Sequence, residues 1–496
     1  MLEFCLFGLL LILVTFLFIR KGERRVGNVI PGPKGLPYSG SRFEMNFLNM
    51  YGKCINYAKT YGDIFQVKLM SNRIIVINSE RLFRLATTGE EYKLYLNDRP
   101  ASFYGETFLN GSQWASLHTN GSIKEHAPYR KMFARFIRDA KAEERPLFLD
   151  KISCKKGVDF EIVSELKSSL ATTICSILIG NDFNERDPKL VAEFMDITDY
   201  LLPSSDVNDA VQAYPCLRIF TPTYNVKFQR ASAIKYAIMN VYVKQQKEKI
   251  VPGVVRGIVD QSLQEQMEDI KAGREPLLTD DKIFYQVLEV MEAGLVAWWT
   301  FLSNALLCLL NHPEYQDKMF EELERVVGHK RDVKLSDKSQ CPFTEAVELE
   351  VHRYLPVVPF LDARFCGVDL NFEGYDLPKD SIILGNIWFI HHNETIFEDP
   401  WKFRPERWLE EDGKLINKNH VYRKNLIPFG SGSRKCLGSH LSSSILFMHL
   451  SSIFRRWKCV SPPGGTMSCD PRDQTNFENK VTLRPKPFYG RFEERF

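Results

Sequence analysis

The sequence contains no C-x-x-C pair and no zinc-type Cys/His spacing, although it has 11 cysteines. An odd, scattered set is poor material for a disulfide framework or a zinc site. It fits reduced thiols in a cytosolic compartment. Gly/Ser-rich linkers, low-complexity tracts and internal repeats are also missing, so nothing marks a place to cut the chain into several domains. Excess charge is missing too. A net +3 over 496 residues gives no field that would gather nucleic acid. What remains, 44% hydrophobic and 26% charged residues, is the composition of a globular protein with a large core.

The N-terminus departs from this average. Leu2 to Ile19 is apolar apart from Glu3, and Arg20, Lys21, Arg24 and Arg25 follow directly. About 20 apolar residues suffice to cross a bilayer as a helix. The basic cluster should stay cytoplasmic and keep everything after it on that side. A cleaved secretory signal fits less well, because there is no basic n-region and no small-x-small cleavage site. Residues 1–20 are therefore expected to be a transmembrane anchor. Residues 21–40 read as a basic, Pro/Gly-rich linker, with Pro31-Gly-Pro-Lys-Gly-Leu-Pro37 as a stiff spacer. Residues 41–496 form the remaining domain, and the sequons at Asn110, Asn120 and Asn393 then read as chance matches.

Along that domain the pattern is mainly helical with small sheets. Tyr51 to Tyr61 is helix-like, and Ile64 to Leu69 with Arg73 to Ile77 reads as a hairpin. Tyr129 to Ala140 has an apolar face of Met132, Phe133, Phe136 and Ile137, and a basic face of Lys131, Arg135 and Arg138. A long helix is predicted from Thr279-Asp-Asp281 to Leu310. It is apolar nearly all round and should cross the core. Asn371 to Leu377 and Ser381 to Leu384 look like short strands. Leu441 to Phe454 looks like a final long helix.

The most informative stretch is Pro428-Phe-Gly-Ser-Gly-Ser-Arg-Lys-Cys-Leu-Gly438. Gly430 and Gly432 permit a tight turn and close approach to a flat ligand. Cys436 precedes an apolar helix expected to begin near Leu437, whose N-terminal dipole favours a thiolate. Gly438 leaves room beside a planar macrocycle, Arg434 can pair with one of its carboxylates, and Phe429 can pack on the thiolate side. A lone buried cysteine is usually just a small hydrophobe. The complete spacing F-x-x-G-x-R-x-C-x-G is not a chance pattern.

With that motif the chain resembles the cytochrome P-450 superfamily, and more narrowly its microsomal animal members. Two further marks follow the same order as in the family. Glu350-Val-His-Arg353 is an E-x-x-R on a helix, where residues three apart are neighbours. In Phe403-Arg-Pro-Glu-Arg407-Trp408, Arg407 resembles the third member of a buried triad with Glu350 and Arg353. The resemblance implies a helical prism around a buried haem b whose iron takes Cys436 as axial ligand. It implies Arg130 and Arg364 on the haem propionates, with His126 where relatives carry Trp. It also implies a roof over the pocket from Ala101 to Asn120, with Phe103, Tyr104, Phe108, Leu109 and Trp114 as apolar candidates. The implied partners are a lipophilic small-molecule substrate, NADPH-cytochrome P-450 reductase and cytochrome b5. The implied location is the endoplasmic reticulum membrane, single-pass, with the catalytic domain facing the cytosol. Thiolate ligation favours O–O cleavage, and the implied chemistry puts one oxygen atom of O2 into a C–H bond.

One stretch departs from the family pattern. Relatives read Ala/Gly-Gly-x-Asp/Glu-Thr-Thr/Ser in the middle of the long helix, whereas this chain reads Ala293-Gly-Leu-Val-Ala-Trp298. Gly294 is kept and can widen the helix. The acid is replaced by Val296 and the hydroxyl by Ala297. Proton delivery normally rests on that pair. Thr300 and Glu292 lie one turn away on either side, and on a regular helix neither replaces Ala297. Three readings stand: a poorly coupled monooxygenase; a haem-thiolate isomerase or dehydratase of lipid peroxides that needs no reductant; and a haem-binding protein with little turnover.

Overall fold

The computed structural model describes residues 28–496 except 37–39, 42–43, 45–49, 70–71, 101–122, 141–147, 182, 185, 202–210, 212–214 and 362. The expected anchor at 1–20, most of the linker at 21–40 and the expected roof at 101–120 therefore lie outside the described residues. So does the side chain of His126.

The predicted hairpin forms early in the fold. Helix α1 (Met50–Tyr61) leads into β1 (Ile64–Leu69) and β2 (Asn72–Ile77), which pair antiparallel with Ile64 opposite Ile77. Helix α2 (Glu80–Thr88) follows, and α3 (Ile123–Asp139) buries Met132, Phe133, Phe136 and Ile137 as the periodicity required. Helix α4 (Ile162–Ile179) is buried over most of its length. The long central helix α5 runs from Asp280 to Asn311. Thr279 caps it, its hydroxyl accepting from Lys282 N–H at 3.3 Å. Both α4 and α5 are long and apolar enough to cross a membrane, but 72% of each apolar window is buried inside the protein. They are core helices, as the all-round hydrophobicity of 279–310 predicted.

Helix α6 (Pro342–Tyr354) carries the E-x-x-R residues. The stretch 371–377 is not one strand. It splits into β4 (Leu370–Phe372) and β5 (Tyr375–Leu377), because Glu373 and Gly374 both take positive φ (53° and 84°) and turn the chain back. Between α6 and this hairpin lies β3 (Arg364–Cys366), and β6 (Ser381–Gly385) follows it. Strands β1, β2, β6 and β3 form one sheet in that order, with β2 and β6 parallel. Helix α7 (Ser439–Arg456) closes the core, with Leu441, Ile445 and Met448 buried. Its first turn begins two residues later than expected, so Leu437 belongs to the preceding loop.

Candidate active site

The cysteine loop is a self-supporting turn. Gly430 and Gly432 both have positive φ, 67° and 72°, a conformation that glycine takes without steric strain. The Cys436 N–H donates to the Phe429 carbonyl at 2.9 Å, and the Lys435 N–H to the Gly432 carbonyl at 3.0 Å. The two glycines do different work. A Cβ at Gly432 would stand 2.4 Å from the Thr87 carbonyl oxygen on α2, so this glycine serves packing within the protein and not the approach of a ligand. Gly430 and Gly438 open onto a cavity of about 310 Å³. A Cβ there would meet nothing closer than 3.6 Å at Gly430 and 3.7 Å at Gly438. Cys436, Phe429 and Arg434 line the same cavity.

Four arginines converge on this cavity: Arg130, Arg364 and Arg434, expected from the sequence, and Arg99, which was not. Arg434 Nε donates to the Asn97 carbonyl at 3.0 Å. Arg364 donates to the Asn97 side-chain oxygen and, at 3.3 Å, to the Ser431 carbonyl. Arg130 donates to the Lys435 carbonyl, and Arg99 to the Ala363 carbonyl at 2.8 Å. Burial, then the charges of Arg99 and Arg130, pull the Arg434 guanidinium down to about 10. Burial lowers Arg130 as well. Like charges crowded into a low dielectric call for anions. Asp98 and Glu289 answer part of that field, and a ligand with carboxylates at one edge would answer more. A flat cradle, a thiol facing it and a cationic rim fit a haem.

Arg99 is placed by long-range pairing. The Phe365 N–H donates to the Asp98 carbonyl at 2.9 Å, which lays residue 98 against β3 and brings Arg99 beside Arg364. No local pattern marks this residue; the only hint is Pro100 after it, which biases position 99 to extended backbone.

Behind the loop, Glu350, Arg353 and Arg407 meet as expected. Arg353 holds Glu350 with two bonds, 2.9 Å from Nε and 2.7 Å from a terminal nitrogen, and Arg407 Nε reaches the same carboxylate at 3.1 Å. Two donors the motif did not name complete the shell of Glu350: Trp408 Nε1 at 2.9 Å and the Arg404 backbone N–H at 2.9 Å. Arg353 also donates to the carbonyls of His391 and Pro400, at 3.1 and 2.7 Å. The Glu350 and Arg353 side chains are fully buried. Arg353→Ala should take from buried Glu350 its two-bond partner, leaving Arg407 as the remaining guanidinium on that carboxylate among the described residues, and destabilise the protein by about 3–5 kcal/mol. That is a large share of a total of roughly 5–15 kcal/mol. Denaturant titration of the holoprotein, with the aggregated fraction measured alongside, checks it. A soluble, fully haem-loaded Arg353→Ala protein with an unchanged midpoint would refute it.

Helix α5 forms one wall of the cavity. Residues Val290–Leu295 form a π-helical turn, so the helix is widened at Gly294 as its sequence suggested. A Cβ at Gly294 would come within 3.0 Å of Ile174 Cδ1 on α4, which adds a packing reason for the glycine. Gly294, Val296 and Ala297 line the cavity, and so does the buried carboxyl of Glu292. Thr300 does not: it is fully buried and bonds the Thr482 hydroxyl at 3.4 Å. Trp298 is fixed by an Nε1–H bond to Ser442 Oγ at 2.9 Å.

Comparison with known proteins agrees with this geometry. The family model described as Cytochrome P450 matches residues 30–492. Cytochrome P450 2J5 of Mus musculus is 27% identical over 467 residues, covering 92% of this chain and 90% of its own. Cytochrome P450 2D20 of Mesocricetus auratus is 26% identical over 494 residues, 96% of this chain and 95% of its own. Cytochrome P450 1A1 of Rattus norvegicus is 26% identical over 497 residues, 94% and 90% respectively. The match spans the cysteine loop, the triad and the central helix together, and this chain belongs to the cytochrome P450 family of haem-thiolate monooxygenases.

Proposed function

We propose that the protein is a reductase-fed monooxygenase of a lipophilic small molecule, with Cys436 as axial ligand. The observation that carries this reading is the cavity itself, which brings the Cys436 thiol, the arginine rim and the widened segment of α5 to one space. Bound there, a haem iron with a thiolate ligand supplies the O–O cleavage chemistry. The chain supplies the rest. Arg434, Arg130, Arg364 and Arg99 orient the carboxylates, Gly438 and Gly430 leave room for the ring, and Phe429 covers the sulfur side. Val296, Ala297 and Phe301 give the substrate an apolar wall.

A second reading rests on one observation. Val296 and Ala297 face the cavity where relatives place an acid and an alcohol. An isomerase or dehydratase of lipid peroxides brings its own O–O bond and needs neither that pair nor a reductant. Product formation separates the two. The monooxygenase should require NADPH, reductase and O2. Turnover of a lipid hydroperoxide without reductant, and none with NADPH and O2, would overturn the first reading in favour of the second. The partners belong to the same proposal: NADPH-cytochrome P-450 reductase and cytochrome b5 as electron donors, at the endoplasmic reticulum membrane, with residues 1–20 as anchor.

The proposed donor surface is the basic face of α3 with Lys435. Lys131, Arg135, Arg138 and Lys435 are exposed. Arg135 is engaged by Glu265 at 2.5 Å and Arg138 lies 3.3 Å from Asp139, so Lys131 and Lys435 are the less compensated charges. Exposed charges are screened over ~10 Å at 0.1 M salt. The rate of reduction by an acidic flavoprotein should therefore fall steeply with ionic strength, and Lys131→Glu should slow it more than Arg135→Glu. Salt-independent stopped-flow reduction of both variants at the native rate would remove this surface from consideration.

A further inference from the structure

The last turn of α7 borders a second, much smaller cavity that the chemistry proposed above does not use. It holds about 30 Å³ and lies between that turn, the helix Phe148–Cys154 and the segment 332–333. Leu149, Val333 and the Trp457 ring form its apolar side, and Ser452, Arg455 and Arg456 its polar side. Arg455 is 7% exposed and Ser452 9%. Arg455 spends one donor inside the protein, from Nε to the Gly328 carbonyl at 2.9 Å. Its terminal nitrogens have no hydrogen-bond acceptor among the described residues, and its ion pair to Asp332 is long, at 3.8 Å. The Ser452 hydroxyl has no partner among those residues either. Both groups stay open to the cavity, unlike the Trp457 indole nitrogen, which is sealed off.

A guanidinium nine-tenths buried, with two nitrogens unmatched by hydrogen bonds, is costly to keep. Asp332 returns little, because its own side chain is 78% exposed. Burial lowers the Arg455 guanidinium; Asp332 offsets part of this, while Arg331 and Arg456 add to it. Arg331 is engaged by Asp337 at 2.8 Å, and Arg456 by Glu494 at 2.8 Å with its guanidinium 5.5 Å over the Trp457 ring. A water needs about 10–15 Å³ of such space, so the cavity admits one compact ion or about two waters. A carboxylate would use both oxygens on the Arg455 fork. A tetrahedral oxyanion can fill the fork and still turn an oxygen to Ser452. Ser153, at the edge, spends its hydroxyl proton on the Leu149 carbonyl at 2.9 Å. We propose that this cavity binds a small tetrahedral oxyanion of the phosphate type, held by the terminal N–H groups of Arg455 and the Ser452 hydroxyl, with Arg456 as a second charge at the rim. The ion ties the end of α7 to the helix 148–154 and to the segment 328–333, at the opposite end of α7 from the cysteine loop. The bland alternative is that waters fill the space and Arg455 only offsets the negative end of the α7 dipole.

Equilibrium dialysis of radiolabelled inorganic phosphate against the full-length holoprotein, at constant ionic strength in chloride, separates the two. The native protein should take up one phosphate per chain, and sulfate should compete for it. Asp332→Asn removes the competing carboxylate and should tighten binding about two- to threefold. Ser452→Ala should weaken it about fivefold. Arg455→Met keeps the stem, removes the fork and should weaken it about tenfold or more. Arg491→Met removes an arginine paired with Asp159 away from the cavity and should leave it unchanged. Glycerol 3-phosphate tells a free ion from the phosphoryl end of a larger molecule: competition extends the site to such groups, no competition confines it to the ion, and either result supports an oxyanion site. No saturable uptake by the native protein overturns the proposal, and so does a loss in Arg491→Met equal to that in Arg455→Met. If Arg455→Met does not fold, the milder variants decide: unchanged affinity in both Asp332→Asn and Ser452→Ala overturns it.

Discussion

Cys436→Ala should abolish the thiolate-type band of the reduced carbon-monoxide complex, while Cys469→Ala should leave it at full intensity. The expectation rests on which thiols can be thiolates near neutral pH. Burial pushes Cys54, Cys175 and Cys341 up to about 12 and Cys366 to about 11. It also raises Cys308 and Cys459 far above their ordinary range. Such groups stay protonated and behave as small hydrophobes. Cys469 is the exception and therefore the right control. Hydrogen bonding to Cys308, aided by His312, brings it down to about 6. Yet it is buried at the far end of α5 and takes no part in the cavity wall, where Cys436 is the sole cysteine among the described residues. Cys469 is thus the thiol favoured by its bonds but not by its place, and the two variants distinguish ionisation from position. Spectra of purified, haem-titrated proteins read the result. Cys436→Ala with an undiminished band would refute the ligand assignment, and loss of the band in Cys469→Ala alone would move the assignment to that residue.

Local patterns carried the parts of the fold that depend on neighbours in sequence. The hairpin at 64–77, the buried face of α3 and the capped central helix follow from period and turn chemistry alone. The triad was legible because Glu350 and Arg353 share a helix face and Arg407 lies in a recognisable segment. What was missed needs contacts across hundreds of residues. Gly432 is a glycine because of Thr87, and Arg99 reaches the cavity because Asp98 pairs with Phe365. The indole N–H of Trp298 is tied to Ser442, 144 residues later. The π-helical turn also hides, since a continuous apolar run looks alike whether its carbonyls bond four or five residues on.

The largest kinetic effect should come from the wall of α5. Native protein given NADPH, reductase and a lipophilic substrate should consume NADPH but send much of it to hydrogen peroxide, and Val296→Asp with Ala297→Thr should raise product per NADPH. Splitting O2 so that one atom leaves as water takes two protons. Positions 296 and 297 face the cavity and offer neither acid nor hydroxyl. Thr300 cannot turn inward, being buried against Thr482. Trp298 is held by Ser442 and has no exchangeable proton free to deliver. Glu292 does line the cavity, one turn before Val296, but positions 296 and 297 carry no alcohol that would place a water between that carboxyl and the reacting atoms. Loss of a positioned general acid typically slows such a step by about 10²–10⁴-fold, which is about 3–5 kcal/mol of barrier. Both substituted positions are only partly buried on the cavity side, so the new polar side chains face open space and the core packing is kept. If Val296 and Ala297 instead shape the pocket for a bulky substrate, the double variant should lose binding and gain no coupling. Product and peroxide per NADPH, measured with the substrate dissociation constant for both proteins, tell these apart. Tight coupling in the native protein, with a substrate that carries no hydroxyl or acid near the reacting carbon, would show that another group already delivers the protons. Glu292→Gln would then be the variant to break it.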